Sequence, residues 1–214
     1  MYRKAKTKRH FLTLAIITLA ILLVVWCLRF AFNRPTFDSE KVAHMETQMW
    51  QSYYSGNKIE LGLQLIALLR DQYGLSLMEA KGIGELLASS AMKFHAARGD
   101  YDNVALPDLI KAYGLIKQAT GAAFDPEEVA KAELAWWVAR RTPGQNSKEQ
   151  VGEGITELYV VFYGYESDAF VNAGQFRSQA AAIRDAGKED SDWKLIEEKL
   201  FQSYSELENE ELRK

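Results

Sequence analysis

Residues 37–50, FDSEKVAHMETQMW, and residues 124–137, FDPEEVAKAELAWW, carry one pattern twice. Half of the aligned positions are identical: Phe37/Phe124, Asp38/Asp125, Glu40/Glu127, Val42/Val129, Ala43/Ala130, Glu46/Glu133 and Trp50/Trp137. The offset of 87 becomes 90 after three extra residues near Pro143, Gly144 and Gln145. Matching then continues through Lys58/Lys148, Gly62/Gly152, Leu68/Leu158, Tyr73/Tyr163, Gly74/Gly164, Gly84/Gly174, Ala91/Ala181 and Ala96/Ala186. Leu109/Leu200 and Tyr113/Tyr204 pair near the ends. An ordered run of matches is the mark of internal repetition, so the sequence predicts two related units, 36–122 and 123–210.

Each unit reads as four helices, which predicts an all-α body of about eight. The first spans about 39–55 and 126–141. Asp38 and Asp125 are N-caps, Pro126 fits the first helical position, and Glu128 stands in capping-box spacing. Phe37 and Phe124 precede Val42 and Val129 in hydrophobic-staple spacing. The second helices, 58–73 and 147–163, end at Tyr-Gly, with glycine suited to a left-handed C-cap. The third helices are 77–98, with Ser76 and Glu79 in capping-box spacing, and about 167–187. The fourth are 102–118 and 191–208, and the charged end, 206–214, reads as a fraying tail.

Helices joined pairwise by short turns resemble the helical-hairpin repeat proteins, and residues 91–113 (AMKFHAARGDYDNVALPDLIKAY) resemble the tetratricopeptide class through Gly99 and Tyr101. Asp108 and Lys111 depart from that pattern, where it calls for an aromatic residue and an alanine. The resemblance implies a superhelical scaffold that binds a peptide or protein partner. A closed eight-helix bundle is equally compatible with the residues.

The first helix of each unit carries one polar residue in its apolar stripe. Val42, Met45, Glu46, Met49, Trp50 and Tyr53 recur at helical spacing, as do Val129, Ala132, Glu133, Trp136, Trp137 and Arg140. That face turns inward, so Glu46 and Glu133 are a candidate buried polar pair. A buried carboxylate needs a donor. Trp50 and Trp137, or Tyr73 and Tyr163, are the expected donors, and Arg140 and Arg184 are expected to pair with acidic faces of neighbouring helices or to meet an anionic partner. A structural role for the glutamates competes with a metal- or proton-handling one.

Assembled catalytic chemistry is missing. Cys27 is the single cysteine, the three histidines are not shared between the units, and no Glu-x-x-His, Gly-x-Ser-x-Gly or P-loop occurs. No cofactor or metal is expected, and an enzyme is disfavoured.

Residues 11–28, FLTLAIITLAILLVVWCL, contain no charge. Extended to Phe32 past a snorkelling Arg29, the stretch covers about 33 Å as a helix, enough to cross a bilayer. Small residues suited to signal-peptide cleavage are lacking after it, so 11–32 reads as an uncleaved transmembrane signal anchor behind a basic tail, 1–10. The net charge of −3 hides a division: all 29 acidic residues follow residue 35, and seven of the 26 basic ones precede it. The basic tail places the N-terminus in the cytoplasm. An acidic body disfavours nucleic acid. With no disulfide and no glycosylation sequon in the body, the best match is a bacterial plasma membrane with the body periplasmic or otherwise extracytoplasmic. The expected function is a single-pass, membrane-anchored helical scaffold for a protein or peptide. The alternative is a small-ligand or metal-binding protein, or an enzyme, using Glu46 and Glu133. Geometry separates the two: a superhelix offers a groove, and a closed pair of units offers one cavity faced by both glutamates.

Overall fold

The computed structural model describes residues 37–187 and 190–211. The basic tail and the expected transmembrane segment, 11–32, lie outside the described residues. Among the described residues, no helix is long and apolar enough to cross a membrane.

The body is all-α. Among the described residues it contains α1 (Ser39–Ser55), α2 (Lys58–Tyr73), α3 (Leu77–Ala96), the single turn α4 (Tyr101–Val104), α5 (Leu106–Thr120), α6 (Pro126–Arg141), α7 (Lys148–Tyr163), α8 (Asp168–Gly187) and α9 (Trp193–Glu211). Local chemistry sets most boundaries. Asp38 accepts from the Lys41 amide, and Asp125 from the amides of Glu127 and Glu128. Ser76 and Glu79 form a reciprocal capping box at α3. At α6 the box is only half made, because the Glu128 side chain turns outward to Lys131. Gly74 and Gly164 close α2 and α7 in the left-handed conformation.

Three expected boundaries differ. The third helix stops at Ala96 rather than residue 98, where Gly99 and Asp100 both take positive φ. The expected helix 102–118 is broken: α4 ends at Val104 with Ala105 as its C-cap, and α5 restarts with Pro107 in its first turn. The expected tail is helical through Glu211, because Tyr204 and Leu207 are buried in the core and hold the last turns down.

The main helix contacts follow chain order around a circle. Each long helix packs on the next, α9 packs back on α1, and the short α4 bridges α3 and α5. Cross-helix pairs give the directions. Ser203 bonds the Ala173 carbonyl and Asn172 reaches Glu206, so α8 and α9 are antiparallel. Ser205 meets Ser39 while His44 meets Glu197, so α9 and α1 are antiparallel too. The other long neighbours are joined by short connections and alternate likewise. Helices α1, α3, α6 and α8 thus run the same way, and they meet across the centre through Arg177 on Glu46, Arg140 on Tyr54 and Arg141 on Phe94. Asp108, which departs from the tetratricopeptide pattern, is buried in the first turn of α5 and accepts from Lys93 and Ser89 on α3, both at 2.6 Å.

Small residues set how closely neighbours approach. A Cβ on Gly174 of α8 would sit 2.6 Å from the Gly152 carbonyl oxygen and 2.5 Å from the Thr156 hydroxyl on α7. Gly62 on α2 has nothing within 4 Å of such a Cβ. Gly174→Ala is thus expected to cost roughly 1–3 kcal/mol through separation of α7 from α8. Gly62→Ala is expected to stabilise by about 0.5–1 kcal/mol through helix propensity. Chemical denaturation of the two variants checks this contrast, which equal effects of one sign would contradict.

Candidate functional site

The four parallel helices carry their inward side chains at two levels. Seven residues separate Glu133 from Arg140, so the levels lie about 10 Å apart along the axis. The first level holds the carboxylates. Glu46 is buried and fully partnered. Its neighbour Trp50 donates to Oε1 at 3.1 Å, and Tyr204 of α9 donates to Oε2. Arg177 of α8 grips both oxygens, with Nη1 at 3.0 Å from Oε2 and Nη2 on Oε1. The same Nη1 donates to the Tyr204 hydroxyl at 2.9 Å, and the guanidinium lies 5.8 Å from the Trp136 ring centre.

Glu133 has a matching set less one member. Trp137 donates to Oε1 at 2.9 Å, and Tyr113 of α5 reaches Oε2 at 3.4 Å. Trp50 and Trp137 are thus the donors that helical spacing predicts. The tyrosine donors are Tyr204 and Tyr113, which also form one of the matched sequence pairs, whereas Tyr73 and Tyr163 line the same pocket further along. Among the described residues, no cation pairs with Glu133. The Trp136 indole lends its charge some support, but from outside hydrogen-bonding geometry.

These environments shift proton affinities. Burial lifts the Glu133 carboxyl above its ordinary 4.5, opposed only in part by the charge of Arg177 nearby. Glu133 is half-buried by its accessible surface and lines the pocket. Burial alone would pull Arg177 down, yet the adjoining Glu46 charge carries it well above its ordinary value. Arg177 is the residue that sequence reasoning missed. It stands in the inward stripe of Phe170, Ala173, Ala180 and Ala181, and the logic that singled out Glu46 would have found it.

The second level is an arginine–aromatic layer. Arg140 makes a two-pronged pair with Asp185, both contacts at 2.7 Å, and donates to the Tyr54 hydroxyl at 2.7 Å. Arg184 stacks at 3.8 Å over Tyr54, and Arg141 at 3.9 Å over Phe94 while donating to the Phe94 carbonyl. Of the two arginines picked from sequence, Arg140 meets an acidic neighbour and Arg184 meets Tyr54.

Comparison with family models, with curated proteins and with solved structures found no match.

Between and beyond these levels runs a pocket of about 550 Å³, to which each of the eight long helices contributes. Its walls are mostly apolar and aromatic, including Leu65, Leu68, Leu87, Phe162 and Tyr163. Glu46, Glu133, Trp50, Trp137, Tyr73, Tyr163 and Arg140 all line it, and Arg184 stands beside it on Tyr54. Two buried donors at the wall, the Trp136 indole and the Tyr159 hydroxyl, meet no acceptor in hydrogen-bonding geometry among the described residues.

The unequal carboxylates give opposite responses to mutation. Arg177→Leu strands Glu46 in the core and is expected to cost about 3–5 kcal/mol. Glu133→Gln removes a carboxylate whose pKa is raised on folding. That group makes the native state bind more protons, so its effect on stability worsens as pH rises from 4.5 through the raised value. The Gln variant should therefore gain stability over wild type across that window and keep a constant advantage above it. Denaturation curves between pH 4 and 8 test this, and a constant difference across the whole range would contradict the assignment.

Proposed function

We propose that the chain is a membrane-tethered, extracytoplasmic binding domain that holds a small, largely apolar ligand inside its helical ring. The observation that carries this reading is the pocket: about 550 Å³, reached by every long helix, and faced by both Glu46 and Glu133. Concave apolar sites with a few placed polar groups are the usual form of small-molecule sites. Packing of α9 on α1 turns the aromatic faces inward, which favours this reading over the peptide groove of a superhelical scaffold. Support for a protein partner is limited to outward apolar side chains such as Ile59, Leu63, Leu77 and Met78.

The duplication belongs to the proposal. Its support is a set of contacts between matched positions. Phe37 lies on Tyr204 and Phe124 on Tyr113, with ring centres 5.9 and 6.1 Å apart. Glu46 and Glu133 use Trp50/Trp137 and Tyr204/Tyr113 in the same way. The tether rests on the uncharged run 11–28 and its preceding cations.

Two measurements test the whole. Native mass spectrometry of the full chain in mild detergent should reveal a retained small molecule. Ala91→Trp, which fills the pocket from α3, should abolish that retention at a cost in stability of no more than about 1–3 kcal/mol. Equal masses retained by wild type and Ala91→Trp would remove the pocket from consideration. For topology, alkaline phosphatase fused after Lys214 should be active in a bacterial host, and an inactive fusion of normal abundance would reverse the orientation.

A further inference from the structure

The two carboxylate clusters agree in the glutamate, the tryptophan and the tyrosine, and differ in the cation. Arg177 follows Gly174 by three residues, and the residue that follows Gly84 by three is Leu87. Leu87 lines the same pocket as Glu133, so the position matched to Arg177 carries a hydrocarbon in place of a guanidinium. We propose that the ligand supplies the missing charge: the pocket takes an apolar or aromatic molecule bearing a protonated amine, which docks its ammonium on Glu133.

The proposal rests on the pocket being a ligand site and adds the chemical class of the ligand. The other charged groups of the wall are already committed. Glu46 is bound by Arg177, Tyr204 and Trp50, and Asp185 by Arg140, while Arg141 caps the Phe94 carbonyl and ring. Glu133 receives two neutral donors, one of them long at 3.4 Å, and a carboxylate has about four acceptor positions. Capacity remains for an N–H donor from the pocket side. An ammonium there would relieve a charge that burial disfavours, and its positive field would reverse the raised proton affinity of the carboxylate. Trp137 and Tyr113, already fixed on the carboxylate, and the nearby Trp136 add aromatic surface to the pocket wall, as suits the ring of an aromatic amine. A bare metal ion fits poorly, since the neighbours of Glu133 are donors and not ligands.

Paired probes test the amine. Calorimetric titration of the detergent-solubilised full chain at pH 7 would compare tryptamine with tryptophol, and 2-phenylethylamine with 2-phenylethanol. Each pair shares its ring and differs in ammonium against hydroxyl. Wild type should bind the amines more tightly by about tenfold or more, as a buried charge-assisted hydrogen bond supplies. The amine-to-alcohol ratio should fall towards one in Glu133→Gln. It should fall equally in Leu87→Arg, which gives Glu133 the cation that Glu46 has and serves if the first variant does not fold. No preference in wild type, or a preference retained in either variant, overturns the amine while leaving the pocket as a ligand site. Failure of both amines and alcohols to bind removes the pocket reading and the amine with it.

Discussion

A carboxylate and a guanidinium enclosed among aromatic rings must find each other, because either one alone in that setting would cost several kcal/mol. Glu46 and Arg177 do so across the join of the ring, on α1 and α8, with Tyr204 of α9 bonded to both. Residues from the start and end of the body are thereby locked at one level, between the contacts that zip α9 along α1. Hydrophobic burial supplies the driving force for helix packing, but it is tolerant of sliding and rotation. An ion pair with a planar, two-pronged geometry is not. It fixes the register of the closing helices, and every inward side chain on the four parallel helices takes its height from that register.

The pocket follows from what those side chains are. Trp50, Trp136, Trp137, Tyr73, Tyr113 and Tyr163 are large, and several are held by polar tips to carboxylates or neighbouring rings. A ring tied at both ends cannot swing in to fill the centre. The interior then keeps open volume that a leucine core would have closed, at the expense of dispersion contacts across the gap.

Much of this was legible in the sequence. Asp38, Asp125, Ser76, Gly74 and Gly164 mark helix ends through their own local bonds, so the positions of the helices could be read without knowing the fold. The inward stripe singles out Glu46 and Glu133 because helical periodicity alone decides which residues share a face. The tyrosine donors were not readable, since Tyr204 and Tyr113 reach the glutamates from helices whose rotation depends on packing. Ring closure was equally out of reach: it depends on contacts between α1 and α9, at opposite ends of the body. The break at Ala105 makes no side-chain cap, and its one mark in the sequence is Pro107, which suits a first helical turn but sits inside an unbroken helical pattern.

If the halves arose by duplication, their differences are as informative as their matches. The matched pairs Glu46/Glu133, Trp50/Trp137 and Tyr113/Tyr204 build the level of the carboxylates. At the other level, Tyr54 aligns with Arg141, and Phe94 with Arg184. The contacts there cross between halves, Arg184 on Tyr54 and Arg141 on Phe94. Two identical copies would instead have set arginine against arginine, or ring against ring. Each stacking pair takes one partner from each half of the body, so neither half can complete that layer alone. Arg177 stands in one carboxylate cluster, and the matched position on α3 is Leu87. One cluster thereby serves as the lock of the ring, and the other faces the pocket with its charge unspent.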